Sequence, residues 1–328
     1  MGASAESVTD ARSSHRRVPD FFVVGHGKSG TTALYEMLRR HPQIYLPEIK
    51  ELRFFATDMD AHFQHERTEP QTLDAHLSLF DSAKPGERVG EMSTLYLWSR
   101  TAASAIAAVQ PAARIIALLR EPASYLRSLH LQLLQNRVET QKSLRKAISL
   151  EQARSQGKEI PRGCVRPQAL QYSERVQYVE QLRRYHALFG RERVLVLIYD
   201  DFRRDNEATM RSVLRFLEVD DTHPIEAIEA NPTVAVRSAR VEGLTRSLRA
   251  GRGPLARSVR GVGKALTSRR ARSALYYPAV RRATYGKPPP PDDELMLELR
   301  RRFTPEVHAL SSYLDRDLVR LWGYDELD

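Results

Sequence analysis

Residues 21–32, Phe-Phe-Val-Val-Gly-His-Gly-Lys-Ser-Gly-Thr-Thr, run an apolar stretch into a glycine-rich loop with one lysine and a closing pair of hydroxyls. The order reads as a buried strand feeding a phosphate cradle at a helix start. Gly25, Gly27 and Gly30 let the backbone turn tightly and approach an anion, and the amides from Lys28 to Thr32 open toward it as the helix begins. A nucleotide phosphate fits such a loop. A Walker A loop carries its lysine directly after the last glycine; here that slot holds Thr31, and Lys28 stands two residues before Gly30. A second pattern lies at 114–128, where the apolar run Ile115–Leu119 ends in Arg120 and a helix is predicted after Pro122. A strand-end arginine offers a planar donor fork to a phosphate dianion, and Ser128 in the following helix adds a hydroxyl. A magnesium-nucleotide enzyme would end such a strand in aspartate to hold the metal. Both departures weigh against ATP or GTP chemistry.

Lys-Ser-Gly-Thr-Thr after a hydrophobic strand resembles the 5′-phosphosulfate loop of sulfotransferases, which use 3′-phosphoadenosine 5′-phosphosulfate (PAPS) as donor. Three further segments resemble that family in order. Arg120 and Ser128 fill the places at which it holds the donor's 3′-phosphate. Lys50-Glu51-Leu52-Arg53-Phe54-Phe55 is similar to the Lys-Glu-x-x-Phe-Phe element of the Golgi-type carbohydrate sulfotransferases and their bacterial relatives, whose glutamate takes the acceptor's proton. Val89–Tyr96 resembles the Gly-Glu-Lys-Ser/Thr-x-x-Tyr segment of the same group, with Met92 where some relatives carry lysine. Lys50 or an arginine such as Arg53 is then the candidate to replace that cation. Residues 168–220 are similar to the family's late core.

The resemblance implies that Gly27, Lys28, Ser29, Gly30, Thr31 and Thr32 cradle the donor's 5′-phosphosulfate. It also implies an in-line displacement in which Glu51 is the base and Lys28 stabilises the departing phosphate oxygen. Phe54 and Phe55 are expected to give the Glu51 carboxyl an apolar setting. Lys50, Arg53, Glu91 and Tyr178 are the further acceptor-side candidates, with an ion-pairing role for Glu91 preferred. The implied acceptor is a hydroxyl or amine of a carbohydrate, glycolipid or small natural product. Two rival readings of the residues stay open: a P-loop kinase-like nucleotide enzyme, and a catalytically silent nucleotide-binding protein docked on an anionic surface.

Such residues need elements to position them. Apolar runs at Phe21–Val24, Arg114–Leu119 and Arg193–Ile198 read as strands buried on both faces, with Ile44–Leu46 strand-like. Helical periodicity covers 30–40, 72–80, 96–109, 123–137, 168–189 and 205–217. The alternation predicts an α/β, P-loop-like three-layer fold with a central mostly parallel sheet flanked by helices. The polar 139–167 stretch is expected to be an insertion with at most a short helix. Residues 294–302 and 305–321 read as two terminal helices, the second with Thr304 as cap and Pro305 at its first position.

The chain divides into a loose tail at 1–18, a core with the PAPS site at 19–236, a basic segment and proline-rich spacer at 237–291, and C-terminal helices at 292–328 packing on the core. Between Arg237 and Lys287, 14 Lys and Arg face only Glu242, so this segment carries more than the whole net charge of +10. Part of it, Leu255, Val259, Val262 and Leu266 with basic residues between, has the pattern of an amphipathic helix for an anionic membrane surface. A nucleic-acid partner is not expected. Cys164 is the single cysteine and no His-Glu-x-x-His pattern occurs, so no metal is expected. Without an apolar leader or membrane-spanning run, the expected location is cytoplasmic, with 237–287 as the segment for peripheral contact with the membrane's inner face.

Overall fold

The computed structural model describes residues 16–59, 70, 72–162, 164, 166–226, 235–236, 285–286 and 288–327. Five strands, Phe21–Val23 (β1), Ile44–Tyr45 (β2), Arg88–Met92 (β3), Arg114–Leu119 (β4) and Val194–Ile198 (β5), form one sheet in the order β2-β3-β1-β4-β5. Every pairing in it is parallel. Helices Thr31–Arg39 (α1), Ala102–Val109 (α3), Pro122–Gln135 (α4), Tyr178–Phe189 (α7), Asn206–Phe216 (α9) and Asp293–Leu314 (α10) cover its faces, with short helices Leu73–Leu77 (α2), Leu144–Ser149 (α5), Glu151–Ser155 (α6), Tyr199–Arg204 (α8) and Leu318–Leu321 (α11) between or after them. Ala235–Val236 (β6) and Tyr285–Gly286 (β7) pair antiparallel as a separate ribbon.

Strand periodicity explains the three layers. Phe22, Ile115, Ala117 and Leu119 face one apolar cluster with α3, α4, α7 and α10. Phe21, Val23, Ile116 and Leu118 face the other, with α1 and α9. Successive side chains of a strand point to opposite faces, so a sheet covered on both sides needs an unbroken apolar run. The fold class expected from the sequence is the one observed.

Several local expectations are corrected. β3 escaped the pattern because Gly90 and Glu91 interrupt its apolar run; a Cβ on Gly90 would lie 2.1 Å from the Phe21 ring. The helix expected over 168–189 is two 3₁₀ turns, Pro167–Leu170 and Ser173–Val176, followed by α7. There the Gln181 side chain donates to Glu174 O (3.0 Å) and Arg175 O (3.3 Å), carbonyls a continuous helix would use itself. The helix expected from 96 starts only at Ala102, because Leu97 N instead donates to Val24 O beyond the end of β1 (2.8 Å). Pro305 does not start a second helix: α10 runs through it. The stripe Leu295, Leu299, Phe303, Val307 and Leu310 is buried on both sides of the proline, and that packing outweighs the lost amide and the ring clash of about 3 kcal/mol.

The 139–167 stretch holds two helices, α5 and α6, around a buried ion pair. Glu139 accepts from both Arg154 Nη1 (2.7 Å) and Nη2 (2.9 Å), and Tyr172 OH donates to it at 3.0 Å. Arg16, inside the tail expected to be loose, pairs with Asp74 (2.6 Å) and Asp81 (2.7 Å). The readings made for 1–15, for the helix pattern at 255–266 and for most of the basic segment lie outside the described residues.

Candidate active site

The sheet order places the β1 and β4 strand ends side by side at the point where the connections diverge, the usual ligand crevice of an open α/β sheet. The loop after β1 is anchored from below: His26 N donates to Leu118 O at 2.6 Å. Arg120, just past β4, closes it from the side, donating from Nη1 to Lys28 O at 2.9 Å. Its Nε donates to Ser124 Oγ (3.0 Å), and its guanidinium lies 4.7 Å from the Tyr199 ring centre. Leu34 is the first α1 residue whose amide bonds back, to Gly30 O, so the amides of Thr31, Thr32 and Ala33 lie at an open helix N-terminus. That end of a helix favours an anion.

The second wall comes from the turn after β2. Glu51 N donates to Met92 O (3.0 Å) and Arg53 N to Ser93 Oγ (2.9 Å), which pins this turn to the end of β3. Lys50 Nζ then reaches back over α1, donating to Thr31 Oγ1 and Thr32 Oγ1, both at 3.3 Å, and lies 3.8 Å from Glu51 Oε1. Glu51 Oε2 accepts from Thr94 N (2.9 Å) and Thr94 Oγ1 (3.0 Å). Lys28, Glu51 and Arg53 all take positive φ, at 71°, 66° and 58°. Left-handed backbone on non-glycine residues costs free energy and clusters where a site imposes it. One cavity of about 330 Å³ collects Gly27, Lys28, Gly30, Thr31, Thr32, Lys50, Glu51, Arg53 and Arg120.

Burial pushes the Lys28 ammonium below the ordinary lysine range, and the nearby Arg120 charge pushes the same way. Burial lowers Lys50 too, against an upward pull from Glu51 and Glu36. Two cations are thus held partly desolvated beside the loop, where an anion would favour their charged form.

Other candidates sit elsewhere. Ser29 and Ser128 are buried and do not line the cavity, and Ser124 places a hydroxyl on Arg120. Glu91 is fully buried under the site, accepting from Ser93 Oγ (3.1 Å) and Tyr96 OH, with His76 Nε2 at 3.1 Å from its other oxygen. Tyr178 is fully buried and donates to Arg120 O at 2.8 Å. Neither Glu91 nor Tyr178 lines the cavity: Glu91 takes the preferred ion-pairing place, against His76, and Tyr178 braces Arg120, which does line it. The apolar setting expected for Glu51 is also corrected. Phe54 stacks on His76 at 4.6 Å and Phe55 packs edge-on against Phe22 and Tyr96, leaving Thr94 and Lys50 as the carboxylate's neighbours.

The model of the Sulfotransferase family matches residues 19–223, from before β1 to just beyond α9, and so includes every residue of this cavity. The chain belongs to the sulfotransferase family. Carbohydrate sulfotransferase 15 of Homo sapiens and of Mus musculus are each 24% identical over 249 residues, 62% of this chain and 44% of theirs. The chain therefore spans less than half the length of these curated relatives. A sulfotransferase from Alicyclobacillus acidocaldarius superposes with TM-score 0.63 at 24% identity, over 92% of this chain and 97% of its own, a likeness of fold.

Within this family member, the sequence did not single out Thr94, Ser124 or Tyr199 for the site. Thr94 stands in the Gly-Glu-Met-Ser-Thr segment, but only the meeting of β3 with the Glu51 turn makes it a partner. Gly30 is required for two reasons, a φ of 88° and a Phe202 ring atom 2.8 Å from where its Cβ would lie. Gly30→Ala should lower stability by about 1–2 kcal/mol in denaturant unfolding, the cost of left-handed backbone on an L-residue plus displacement of Phe202.

His26, 1% exposed, has Nε2 at 2.8 Å from Gln181 Oε1 and Nδ1 at 3.3 Å from Tyr125 OH. Burial holds it neutral, pushing its pKa from 6.5 down to about 3, with Gln181 opposing and Arg175 assisting. The unfolded chain binds a proton that the native state refuses between those two values. Native stability should therefore decline as pH falls from 6.5 toward 3, and His26→Gln should flatten that decline in acid unfolding curves.

Proposed function

We propose that this family member transfers a sulfuryl group from PAPS to a hydroxyl or amine of a carbohydrate, glycolipid or small natural product by in-line displacement. The observation that carries the reading is the convergence in one cavity of Lys28, Lys50 over the Thr31 and Thr32 hydroxyls, and Glu51 held by Thr94. Cations and open amides at one end suit the donor's phosphates; a carboxylate with a fixed orientation suits proton removal from the acceptor. Glu51 takes the proton as the acceptor's oxygen or nitrogen bonds to sulfur. The bond from sulfur to the 5′-phosphate oxygen breaks, its electron pair stays on that oxygen, and adenosine 3′,5′-bisphosphate (PAP) leaves. Lys28 stabilises the charge that grows there, and Lys50 takes the place of the lysine replaced by Met92. Arg120 and Ser128 hold the 3′-phosphate, with Ser124 accepting from Arg120 Nε beside them.

A sulfuryl group carries less charge than a terminal phosphoryl group, so two lysines and oriented amides suffice without a metal. The carbohydrate names of the relatives favour a sugar hydroxyl as acceptor. The charge of 237–287 supports contact with an anionic membrane surface from the cytoplasmic side, and no nucleic-acid partner enters. Calorimetry should find tight PAP binding and weak binding of ATP with magnesium, and labelled PAPS with a panel of glycans, glycolipids and metabolites should yield a sulfated product by mass. Tight ATP binding without PAP binding favours the kinase-like rival. PAP binding with no transfer to any acceptor favours the silent one.

A further inference from the structure

Arg120 is braced from a part of the chain that the family match does not reach. The match covers residues 19–223, and α10, α11 and the residues after them come later. α11 stops at Leu321 in a glycine turn. Gly323 takes φ 66° and donates to Arg320 O (3.0 Å), while Tyr324 N donates back to Val319 O (2.8 Å), the paired bonds that reverse a chain at a helix end. Arg300 of α10 donates to Trp322 O and lies 5.0 Å from the Tyr324 ring centre, which ties the turn to the longer helix. Trp322 and Tyr324, on either side of the glycine, are 5% and 4% exposed.

Each of these two rings directs its polar atom to a carboxylate beside the donor site. Trp322 Nε1 donates to Asp200 Oδ2 (3.0 Å), and Asp200 follows Tyr199, the ring that the Arg120 guanidinium lies over. Tyr324 OH donates to Glu121 Oε1 (2.6 Å), and Glu121 follows Arg120 itself. Glu121 also accepts from Ala123 N (2.9 Å) and Ser124 N (2.6 Å), so it caps α4 and sets the serine whose hydroxyl takes Arg120 Nε. A carboxylate next to Arg120 in sequence is otherwise a natural partner for that guanidinium, and an ion pair there would compete with a phosphate. With three donors around it, Glu121 is held to the helix end and the C-terminal turn. Among the described residues, Arg120 donates to Lys28 O and Ser124 Oγ and to no carboxylate. Burial, with the Glu121 charge adding, raises the Tyr324 hydroxyl's pKa above its ordinary value, which keeps it a donor.

We propose that Tyr324 and Trp322 are positioning residues of the donor site. Tyr324 keeps Glu121 off the Arg120 guanidinium, Trp322 keeps Tyr199 against it, and together they set how strongly the protein prefers a nucleotide with a 3′-phosphate over one without. The inference rests on the donor reading above, in which Arg120 meets the 3′-phosphate, and adds to it a C-terminal turn whose residues do not line the cavity.

The test compares PAP with adenosine 5′-monophosphate, which lacks the 3′-phosphate, by calorimetry on the full-length protein. The unaltered protein should bind PAP much the tighter. Tyr324→Phe removes one oxygen from a packed ring; it should weaken PAP about threefold to tenfold, the loss of one hydrogen bond to a charged group, and leave the monophosphate within about twofold. An unchanged monophosphate affinity reports an intact fold. Trp322→Phe should act in the same direction, and the double variant should lose more than either. In a Glu121→Gln background, Tyr324→Phe should change PAP affinity little, because no carboxylate is left to release. An unchanged ratio of the two affinities in Tyr324→Phe overturns the proposal, as does an equal weakening of both nucleotides, which reports general loosening. A full Tyr324→Phe effect retained in Glu121→Gln overturns it too. Should Trp322→Phe fail to fold, Tyr324→Phe and its cycle with Glu121→Gln still decide the question. Failure of the unaltered protein to prefer PAP indicts the donor reading instead, so the two failures are separable.

Discussion

Lys28→Ala should reduce turnover by about two to three orders of magnitude, the usual loss when one preorganised donor is removed from a developing oxyanion. The expectation rests on how the lysine is held. Its backbone is fixed at φ 71° by the loop, its carbonyl accepts from Arg120, and burial with the Arg120 charge keeps its ammonium poorly solvated. Such a cation gains most when charge accumulates beside it, in the transition state, and less when a dispersed ground-state charge arrives. Single-turnover transfer of labelled PAPS should therefore slow far more than PAP affinity weakens. Equal losses in both would make Lys28 a ground-state anchor.

The same depressed ionisation sets a pH signature. Lys28 acts as the charged form, and its pKa lies below the ordinary lysine value before donor binds. As pH rises, kcat/KM should fall on the alkaline side earlier than an ordinary lysine would dictate, and this limb should vanish in Lys28→Ala.

Much of the donor half could be read from residue order. The strand, the glycine loop and Arg120 are local signals, because strand-end loops of a parallel sheet meet at one edge whatever the details. Which residues meet across that edge is another matter. Ser128 is expected with Arg120 at the donor's 3′-phosphate, and Ser124, one helical turn earlier, adds a hydroxyl that accepts from Arg120 Nε. Residues four apart share a helix face, so the sequence points to that face without singling out Ser124. Glu91 and Tyr178 carry polar groups in motif-like settings, which reads as chemistry, but both spend those groups on buried bonds to Tyr96, Ser93 and the Arg120 carbonyl. The positive φ of Lys28, Glu51 and Arg53 left no compositional mark, since glycine is what such backbone usually announces. The Pro305 error has the converse cause: a strong local signal lost to a longer buried stripe.

Glu51→Gln should lower turnover by about two to four orders of magnitude, the range for removing a general base. The amide is nearly isosteric, and its oxygen can still accept from Thr94 N and Thr94 Oγ1, so the turn after β2 should keep its place and PAP should bind as before. Thr94→Val removes one of those two donors and leaves the amide; a carboxylate then held at one point instead of two should transfer more slowly, but by a smaller factor than Glu51→Gln. The decisive comparison varies the acceptor's acidity. A phenolic acceptor gives up its proton far more readily than a sugar hydroxyl, so it needs less help at the transition state. If Glu51 is the base, Glu51→Gln should therefore cost much less with the phenol than with the alcohol, measured under saturating PAPS. An equal loss with both would mean that Glu51 matters through its contact with Lys50, 3.8 Å away, and hence through the position of a cation over Thr31 and Thr32. Lys50→Met separates these possibilities further. It removes that cation without touching the Thr94 bonds, and its loss should be the same for both acceptors because the charge it stabilises is on the leaving side.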